Sequence, residues 1–247
     1  MPTETAAIIA VLFLIAATLY SSVGHAGASG YLAVMGLMGV ATPMMKPTAL
    51  ILNILVATIG TFQFLRAGCF SWRLFWPFAL GSVPAAYAGG AMKLPTTFYK
   101  VGVGAILLFS AIRMFVAASK PDRSTVNRPP IPAALLAGAA IGILSGLTGT
   151  GGGIFLSPLL LFAGWAETRE TSGVSAAFIL VNSVAGLSGL LPAQSVLPSA
   201  LPIWAAAALL GGAVGAYFGS RRITTPWLRR LLGMVLVVAG LKLIFVR

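Results

Sequence analysis

The sequence predicts an all-α polytopic membrane protein made of two inverted repeats. Three observations lead to this prediction: the composition, an internal repeat and the distribution of basic residues. Of the 247 residues, 58% are apolar and 8% are charged, whereas soluble domains carry roughly 25% charged residues. The mean hydropathy is +0.98, and apolar residues are spread over the whole length. Such a chain lies mostly within lipid and leaves no room for a soluble catalytic domain.

Apolar runs separated by glycine, proline and charged residues predict ten helical elements in two sets of five. The first set covers residues 6–21, 30–40, 47–65, 73–90 and 97–118, and the second covers residues 133–145, 153–164, 172–191, 200–220 and 226–245. We therefore expect residues 1–118 to form the first transmembrane repeat, residues 119–131 a cytoplasmic linker and residues 132–247 the second transmembrane repeat.

The repeat can be followed residue by residue. The glycine-containing run at 24–28 falls on the run at 149–153 with an offset of 125, and Asn53 falls on Asn182 with an offset of 129. Small residues spaced four apart then match with an offset of 130: Gly81, Ala85 and Gly89 match Gly211, Gly215 and Gly219. Such spacing forms flat faces that let helices approach closely in lipid. We predict that these two faces serve helix packing.

The second element of each half decides the topology. Residues 30–40 and 153–164 are about a dozen residues each, whereas a spanning helix needs roughly 20. If each merely completed a broken first helix, the 16 basic residues would divide equally between the two faces. If the first two elements instead form a helix–Gly-loop–helix hairpin that returns to its starting face, 11 of the 16 lie inside, as the positive-inside rule favours. The repeats are then inverted, each a hairpin plus three transmembrane helices, and the glycine-rich tips can meet near the midplane.

The glycine-rich tips are the predicted substrate site. Broken backbone within a membrane is tolerated only where it is buried in protein or lines a wet cavity, and two symmetry-related breaks indicate a transport site. Amides at the start of the following helix favour an anion, and nearby hydroxyls can add hydrogen bonds. The candidate residues are Ser22, Gly24, His25, Gly27 and Ser29 in the first tip and Thr148, Gly149, Thr150, Gly151, Gly152 and Gly153 in the second. The alternative is that the tips are glycine-lined packing contacts.

Five other polar or basic positions within or beside the apolar helices each need an interpretation. His25 is the only histidine, and it serves either as a hydrogen-bonded structural residue or as a titrating group, since the ordinary pKa of imidazole is ~6.5. Asn53 and Asn182 lie inside apolar helices, where an unpaired amide is costly. Each either bonds a neighbouring helix or contacts the substrate. We expect Gln63 to be solvated near its helix end and Lys46 to be interfacial.

The charged residues narrow the range of substrates. The 16 basic residues suit topology signals and contacts with anionic lipid headgroups of the bilayer better than nucleic acid. The four acidic residues, Glu4, Asp122, Glu167 and Glu170, lie at the terminus or in connecting segments. No carboxylate is therefore expected at membrane depth, where cation transporters and proton pumps need one. A small anionic or neutral substrate is favoured.

Catalysis and metal binding are not expected. One cysteine and one histidine cannot form a Cys/His metal cluster. Without an intramembrane acid they also leave no nucleophile–base set for an intramembrane enzyme. We predict neither a metal nor a cofactor.

Three stretches resemble the TauE/SafE sulfite-exporter family, also called the toluene-sulfonate uptake permease family. They are GTGGG at 149–153 with Pro158 and Leu159 after it, the connector FLRAGCFSWR at 64–73, and the small-residue face at 211–219 with LLGM at 231–234 beyond it. The resemblance covers essentially the whole chain. It implies an integral membrane permease of small sulfur-containing or organic anions, including sulfite, sulfoacetate and sulfonates.

From these arguments we expect a secondary transporter in the cell inner (plasma) membrane. It would export sulfite or a related sulfur-containing or organosulfonate anion by alternating access around the tips. An anion channel and a membrane scaffold subunit are the alternatives. The sequence leaves open the anion, the direction of transport, the coupling ion and the oligomeric state, for which a homo-oligomer is one arrangement.

Overall fold

The computed structural model of the chain describes residues 3–92, 95–117, 127–190 and 197–221, together with residues 237, 241, 244 and 245. Within these ranges the backbone forms nine α-helices and no strand. The helices are α1 (Thr3–Ser21), α2 (Ala28–Leu37), α3 (Thr42–Arg66), α4 (Trp72–Ala91), α5 (Thr96–Ala117), α6 (Ile131–Thr148), α7 (Gly153–Phe162), α8 (Thr168–Leu190) and α9 (Leu201–Arg221). The tenth predicted element, residues 226–245, lies outside the described residues except for positions 237, 241, 244 and 245. Most of the predicted linker, residues 119–131, also lies outside them. The all-helical prediction is confirmed for the described part of the chain.

Helix lengths agree with a membrane protein. Five of the described helices, α1, α3, α6, α8 and α9, are long and apolar enough to cross a membrane. Large apolar side chains such as Leu80, Leu136 and Leu210 are exposed on long helices, which suits surfaces that face lipid. The second elements are short as predicted, because α2 and α7 have ten residues each.

The start of α3 differs from the prediction by five residues. The sequence predicts a helix from residue 47, but α3 begins at Thr42 and includes Pro47. Pro43 lies in the first turn, where the missing proline N–H would have no partner within the helix in any case. Pro43 is therefore compatible with the first turn of α3, and the helix begins before Lys46 and includes it.

Glycine faces join the two halves, as predicted. Gly211, Gly215 and Gly219 of α9 lie against the backbone carbonyls of Leu14, Thr18 and Ser22 of α1, and a Cβ atom at any of them would overlap the carbonyl oxygen. On the other side of the molecule, Gly81 and Gly89 of α4 lie in the same way against α6. Contacts this close between backbones require glycine, as in other helix pairs packed in lipid.

The pairing of helices is the same when the two halves are interchanged. α1 packs along α9 and the equivalent α6 packs along α4, while α3 packs on α9 and α8 on α4. The central contact is between the equivalent helices α3 and α8. Asn53 bonds Ser183, and Gly60, seven residues later, faces Ala176, seven residues earlier. The two central helices therefore run antiparallel.

The short helices are held beside the long ones by two apolar cores. One core joins α1, α2, α3, α5 and α9, and in it the Phe13 ring contacts the rings of Tyr31 and Trp204. The other joins α4, α6, α7 and α8 around Phe78 and Phe178. The residues just before α6 and just after α7 lie side by side, because the Asn127 N–H donates to the Gly164 carbonyl at 2.9 Å. The glycine turns that precede α2 and α7 are buried at Gly24, at Gly27 and throughout 149–152.

Candidate functional site

The two glycine turns meet at His25. Its Nε2 atom lies 3.1 Å from the Gly153 carbonyl oxygen at the start of α7 and 3.1 Å from the Ser157 hydroxyl. Because a carbonyl oxygen only accepts hydrogen bonds, the contact with Gly153 is a hydrogen bond in the forms of the imidazole that carry a proton on Nε2. Ser157 in turn lies 2.7 Å from the Ser175 hydroxyl on α8. The imidazole thus links the turn of the first half to the turn and helices of the second.

A cavity of about 10 Å³ lies between the turns. Its lining residues are Tyr20, His25, Ala26, Gly27, Ala28, Ser29, Thr150, Ile154 and Ile179. Four of the predicted site residues, His25, Gly27, Ser29 and Thr150, therefore share one cavity. Ala28 and Ser29 form the first turn of α2, and Ile154 belongs to the first turn of α7.

Both short helices begin without a side-chain cap. Their N-cap residues are Gly27, with φ at 100°, and Gly152, with φ at 80°. Glycine adopts this left-handed backbone readily, whereas other residues are strained in it. A helix start leaves its first N–H groups without partners inside the helix and carries a partial positive charge. Since none of the lining residues is a carboxylate, the local electrostatics favour negative charge.

The remaining glycines of the turns face neighbouring helices. A Cβ atom at Gly151 would lie 2.7 Å from the Asn53 amide nitrogen, and one at Gly152 would lie 2.9 Å from the Phe178 ring. Gly24 lies against the backbone of Ser172, and a Cβ atom at Gly149 would lie 3.2 Å from the Lys46 carbonyl oxygen. These glycines satisfy packing requirements, so their presence does not by itself distinguish a binding turn from a packing turn.

Two of the predicted hydroxyls bond their own helices. Ser22 donates to the Leu19 carbonyl at 2.6 Å, and Thr148 donates to the Leu144 carbonyl at 2.6 Å. The Thr150 hydroxyl lies 3.1 Å from that of Thr148 and lines the cavity. Thr148 is thus adjacent to the cavity and Ser29 and Thr150 form part of its wall, whereas Ser22 is not one of the lining residues.

The two asparagines have different partners. Both are fully buried. Asn53 donates from Nδ2 to the Ser183 hydroxyl at 3.3 Å and so joins α3 to α8. Asn182 donates to the Phe178 carbonyl of its own helix at 2.8 Å. In each case the side-chain oxygen has no hydrogen-bond partner among the described residues.

Two polar side chains near helix ends have partners on other helices. Lys46, predicted to be interfacial, is 8% exposed, and its ammonium donates to the Gly89 and Gly90 carbonyls at the end of α4. The prediction that Gln63 is simply solvated is wrong, because its Nε2 donates to the Ala213 carbonyl of α9 at 3.2 Å. In both cases another helix supplies the carbonyl group, and a single sequence does not reveal which helix lies alongside.

Sequence reasoning also missed three polar residues around the cavity, namely Tyr20, Ser157 and Ser175. Tyr20 could have been predicted as a site residue, since it is an aromatic residue with a hydroxyl group directly before the first glycine turn. Ser157 and Ser175 could not, because serines are common in apolar helices and do not by themselves indicate a site.

Long apolar helices and paired helix breaks define a multi-pass membrane protein of the transporter class, and comparisons with known proteins agree. The family described as sulfite exporter TauE/SafE matches residues 8–243. The chain belongs to this family. It is 44% identical over 240 residues to the "Probable membrane transporter protein y4hK" of Sinorhizobium fredii, covering 96% of this chain and 97% of that protein. No solved structure matches the chain.

Proposed function

We propose that the protein is a secondary transporter of sulfite or a related small sulfur-containing anion, and that the anion binds between the two glycine turns. The observation that carries this proposal is a cavity lined by the first turns of both α2 and α7. Neither helix start has a side-chain cap. Two partial positive charges therefore adjoin one site, which favours an anion over a cation.

The side chains of the cavity suit an oxyanion. Tyr20, Ser29 and Thr150 contribute three hydroxyl groups from different parts of the fold. Sulfite and sulfonates carry three oxygens on one sulfur atom, so donors on several sides can bind at once. His25 adds either a neutral or a charged imidazole at the same wall. This donor set supports a compact sulfur oxyanion in preference to a neutral substrate.

The size of the cavity supports a carrier. About 10 Å³ is close to the space that one water molecule needs. A sulfur oxyanion has at least four heavy atoms, so the turns must separate before it can enter. A site that opens and closes around its substrate fits alternating access, whereas the runner-up, an anion channel, needs a continuous open path.

We further propose that the two repeats are inverted across the membrane. The equivalent helices α3 and α8 cross antiparallel, whereas repeats of the same orientation would align them parallel. The α6–α7 hairpin begins and ends on one side, since Asn127 bonds Gly164 and Arg128 pairs with Glu170 at 2.7 Å. Both observations support re-entrant hairpins that enter from opposite faces.

The proposed direction is export, in keeping with the description of the family as sulfite exporters. The energy then comes from an ion gradient or from the membrane potential. The proposed location is the cell inner (plasma) membrane.

The test of transport is counterflow in sealed vesicles that contain the purified protein. We expect saturable uptake of radiolabelled sulfite against unlabelled sulfite inside, and competition by some members of a panel of sulfate, thiosulfate and simple sulfonates. Conductance that rises without saturation would favour a channel. Neither uptake nor binding for any anion of the panel would favour a scaffold subunit.

The test of topology is cysteine accessibility in intact cells. With Cys69→Ala removing the only natural thiol, Arg221→Cys at the end of α9 reports the side of that end. We expect no labelling by an impermeant thiol reagent until the cells are opened. Labelling of intact cells would contradict the inverted arrangement.

A further inference from the structure

Two basic residues make the same contact in the two halves. Lys46, near the start of α3, donates to the carbonyls of Gly89 at 3.3 Å and Gly90 at 3.0 Å, near the end of α4. Arg169, at the start of α8, donates to the Ser220 carbonyl at 3.1 Å, near the end of α9. The repeat offset of 130 aligns Gly90 with Ser220. In each half a cation from the third helix thus binds the same carbonyl position of the fourth helix.

A cation is the expected partner for these carbonyls. The last carbonyls of a helix lack partners within it, and the helix end carries partial negative charge. Lys46 is also the only charged side chain among the buried residues of the described ranges. These contacts hold two helix ends together without a carboxylate, so they can break and re-form without leaving a buried negative charge behind.

The two contacts lie at opposite ends of α3. Lys46 is near its start, and the pocket that Arg169 lines includes Ala67, just beyond its end. A rise of 1.5 Å per residue puts them about 30 Å apart along the helix axis, close to the thickness of a bilayer core. Each also adjoins one glycine turn, because Gly149 packs on Lys46 and Gly24 packs on Ser172, one turn after Arg169.

The surroundings of the two contacts differ. Lys46, Gly89 and Gly90 are buried. Arg169 is exposed and lines an open pocket of about 510 Å³, whose other charged residues are Arg128, Glu167 and Glu170 and whose apolar side includes Cys69. Helix α8 runs from this pocket towards the cavity: Gly173 packs on the Cys69 carbonyl of the pocket, and the neighbouring Ser172 packs on Gly24, which precedes His25 of the cavity wall. The described chain therefore has a large pocket at the Arg169 end and a buried contact at the Lys46 end.

We propose that Lys46 and Arg169 are a pair of gating cations. The Lys46 contact holds the cavity shut on its side of the membrane and must break before the cavity opens there, and the Arg169 contact has the same role on the opposite side. This inference rests on the proposed function as an alternating-access carrier. Both residues act by positioning helix ends, and neither touches the anion.

The test is side-specific labelling of the cavity. Thr150→Cys in a Cys69→Ala background provides one thiol in the cavity wall. An impermeant thiol reagent is added to right-side-out or to inside-out membrane vesicles. Lys46→Met should raise the rate at which Thr150→Cys is labelled about fivefold or more when the reagent is on the side of the membrane nearer Lys46. It should leave the rate unchanged when the reagent is on the side nearer Arg169. Arg169→Met is the matched control and should have the opposite side preference.

Conservative variants separate gating from general loosening of the fold. Lys46→Arg keeps a charged hydrogen-bond donor, so its labelling rate should be as slow as that of the protein with Lys46. Lys46→Gln keeps a donor but loses the charge, and it is used in place of Lys46→Met if Lys46→Met fails to insert. Equal acceleration from both sides, or no acceleration, would overturn the proposal. Counterflow is measured separately, in protein with Thr150 intact. If Lys46→Met leaves the labelling rate unchanged but counterflow is saturable, the gating proposal is refuted and the transport proposal stands. If labelling is side-specific but no counterflow is seen, the transport proposal is refuted instead.

Discussion

The exchange of Thr150 for valine removes one hydrogen-bond donor from the proposed site with little change in shape. The hydroxyl of Thr150 lines the cavity and lies 3.1 Å from that of Thr148. Thr148 keeps its bond to the Leu144 carbonyl at 2.6 Å, so the substitution leaves no buried donor unpaired, and the fold should tolerate it. A hydrogen bond to a charged group contributes about 1.5–3 kcal/mol. We therefore expect the Kd for sulfite to rise roughly 10- to 150-fold.

The assay is an equilibrium titration of purified protein with radiolabelled sulfite. The matched control is Thr58→Val, because the Thr58 hydroxyl is exposed on α3 and bonds only the Ile54 carbonyl of its own helix at 2.6 Å. Thr58→Val should bind as the unmodified protein does. If Thr150→Val binds sulfite as tightly as Thr58→Val, the Thr150 hydroxyl does not contact the anion, and the placement of the anion against this wall of the cavity is wrong.

Three other substitutions test the turns and the packing. Gly152→Val should abolish sulfite binding while the protein still inserts, because valine is strained at a φ of 80° and its Cβ would lie 2.9 Å from the Phe178 ring, which displaces the start of α7. Binding equal to that of the unmodified protein would show that this turn serves packing. If His25 binds the anion as imidazolium, binding of a simple sulfonate, whose charge is constant near neutral pH, should weaken as pH rises, and His25→Gln should remove that dependence. Tyr20 is the other titratable side chain of the cavity, so an unchanged pH profile in His25→Gln would assign His25 a structural role. Gly215→Ala should lower the free energy of unfolding by about 1–3 kcal/mol, because the added Cβ would overlap a backbone carbonyl of α1. Gly102→Ala is the control, since Gly102 has open space around it, and it should not lower this free energy. Equal Tm values for the two variants would contradict the packing role of Gly215.

Several features follow from the sequence by itself, because their physical causes are local. An apolar composition over the whole chain requires a membrane environment and helices that satisfy their own backbone hydrogen bonds. Several glycines close together, mixed with serine or threonine, favour a break in a helix, so the turns before α2 and α7, and the short length of both helices, could be predicted. The spacing of Gly211, Gly215 and Gly219 likewise predicts a close helix contact.

The tertiary structure alone decided which polar groups come together. In lipid, both the outward and the inward faces of a helix are apolar, so the hydrophobic pattern does not report how the helix is rotated or which helix lies beside it. The sequence therefore does not reveal that the end of α4 supplies carbonyl partners to Lys46. The same limit left Asn53 and Asn182 equivalent, although one bonds across to α8 and the other bonds its own helix. The contact between His25 and Gly153 joins residues 128 positions apart, so it forms only once the two halves pack against each other.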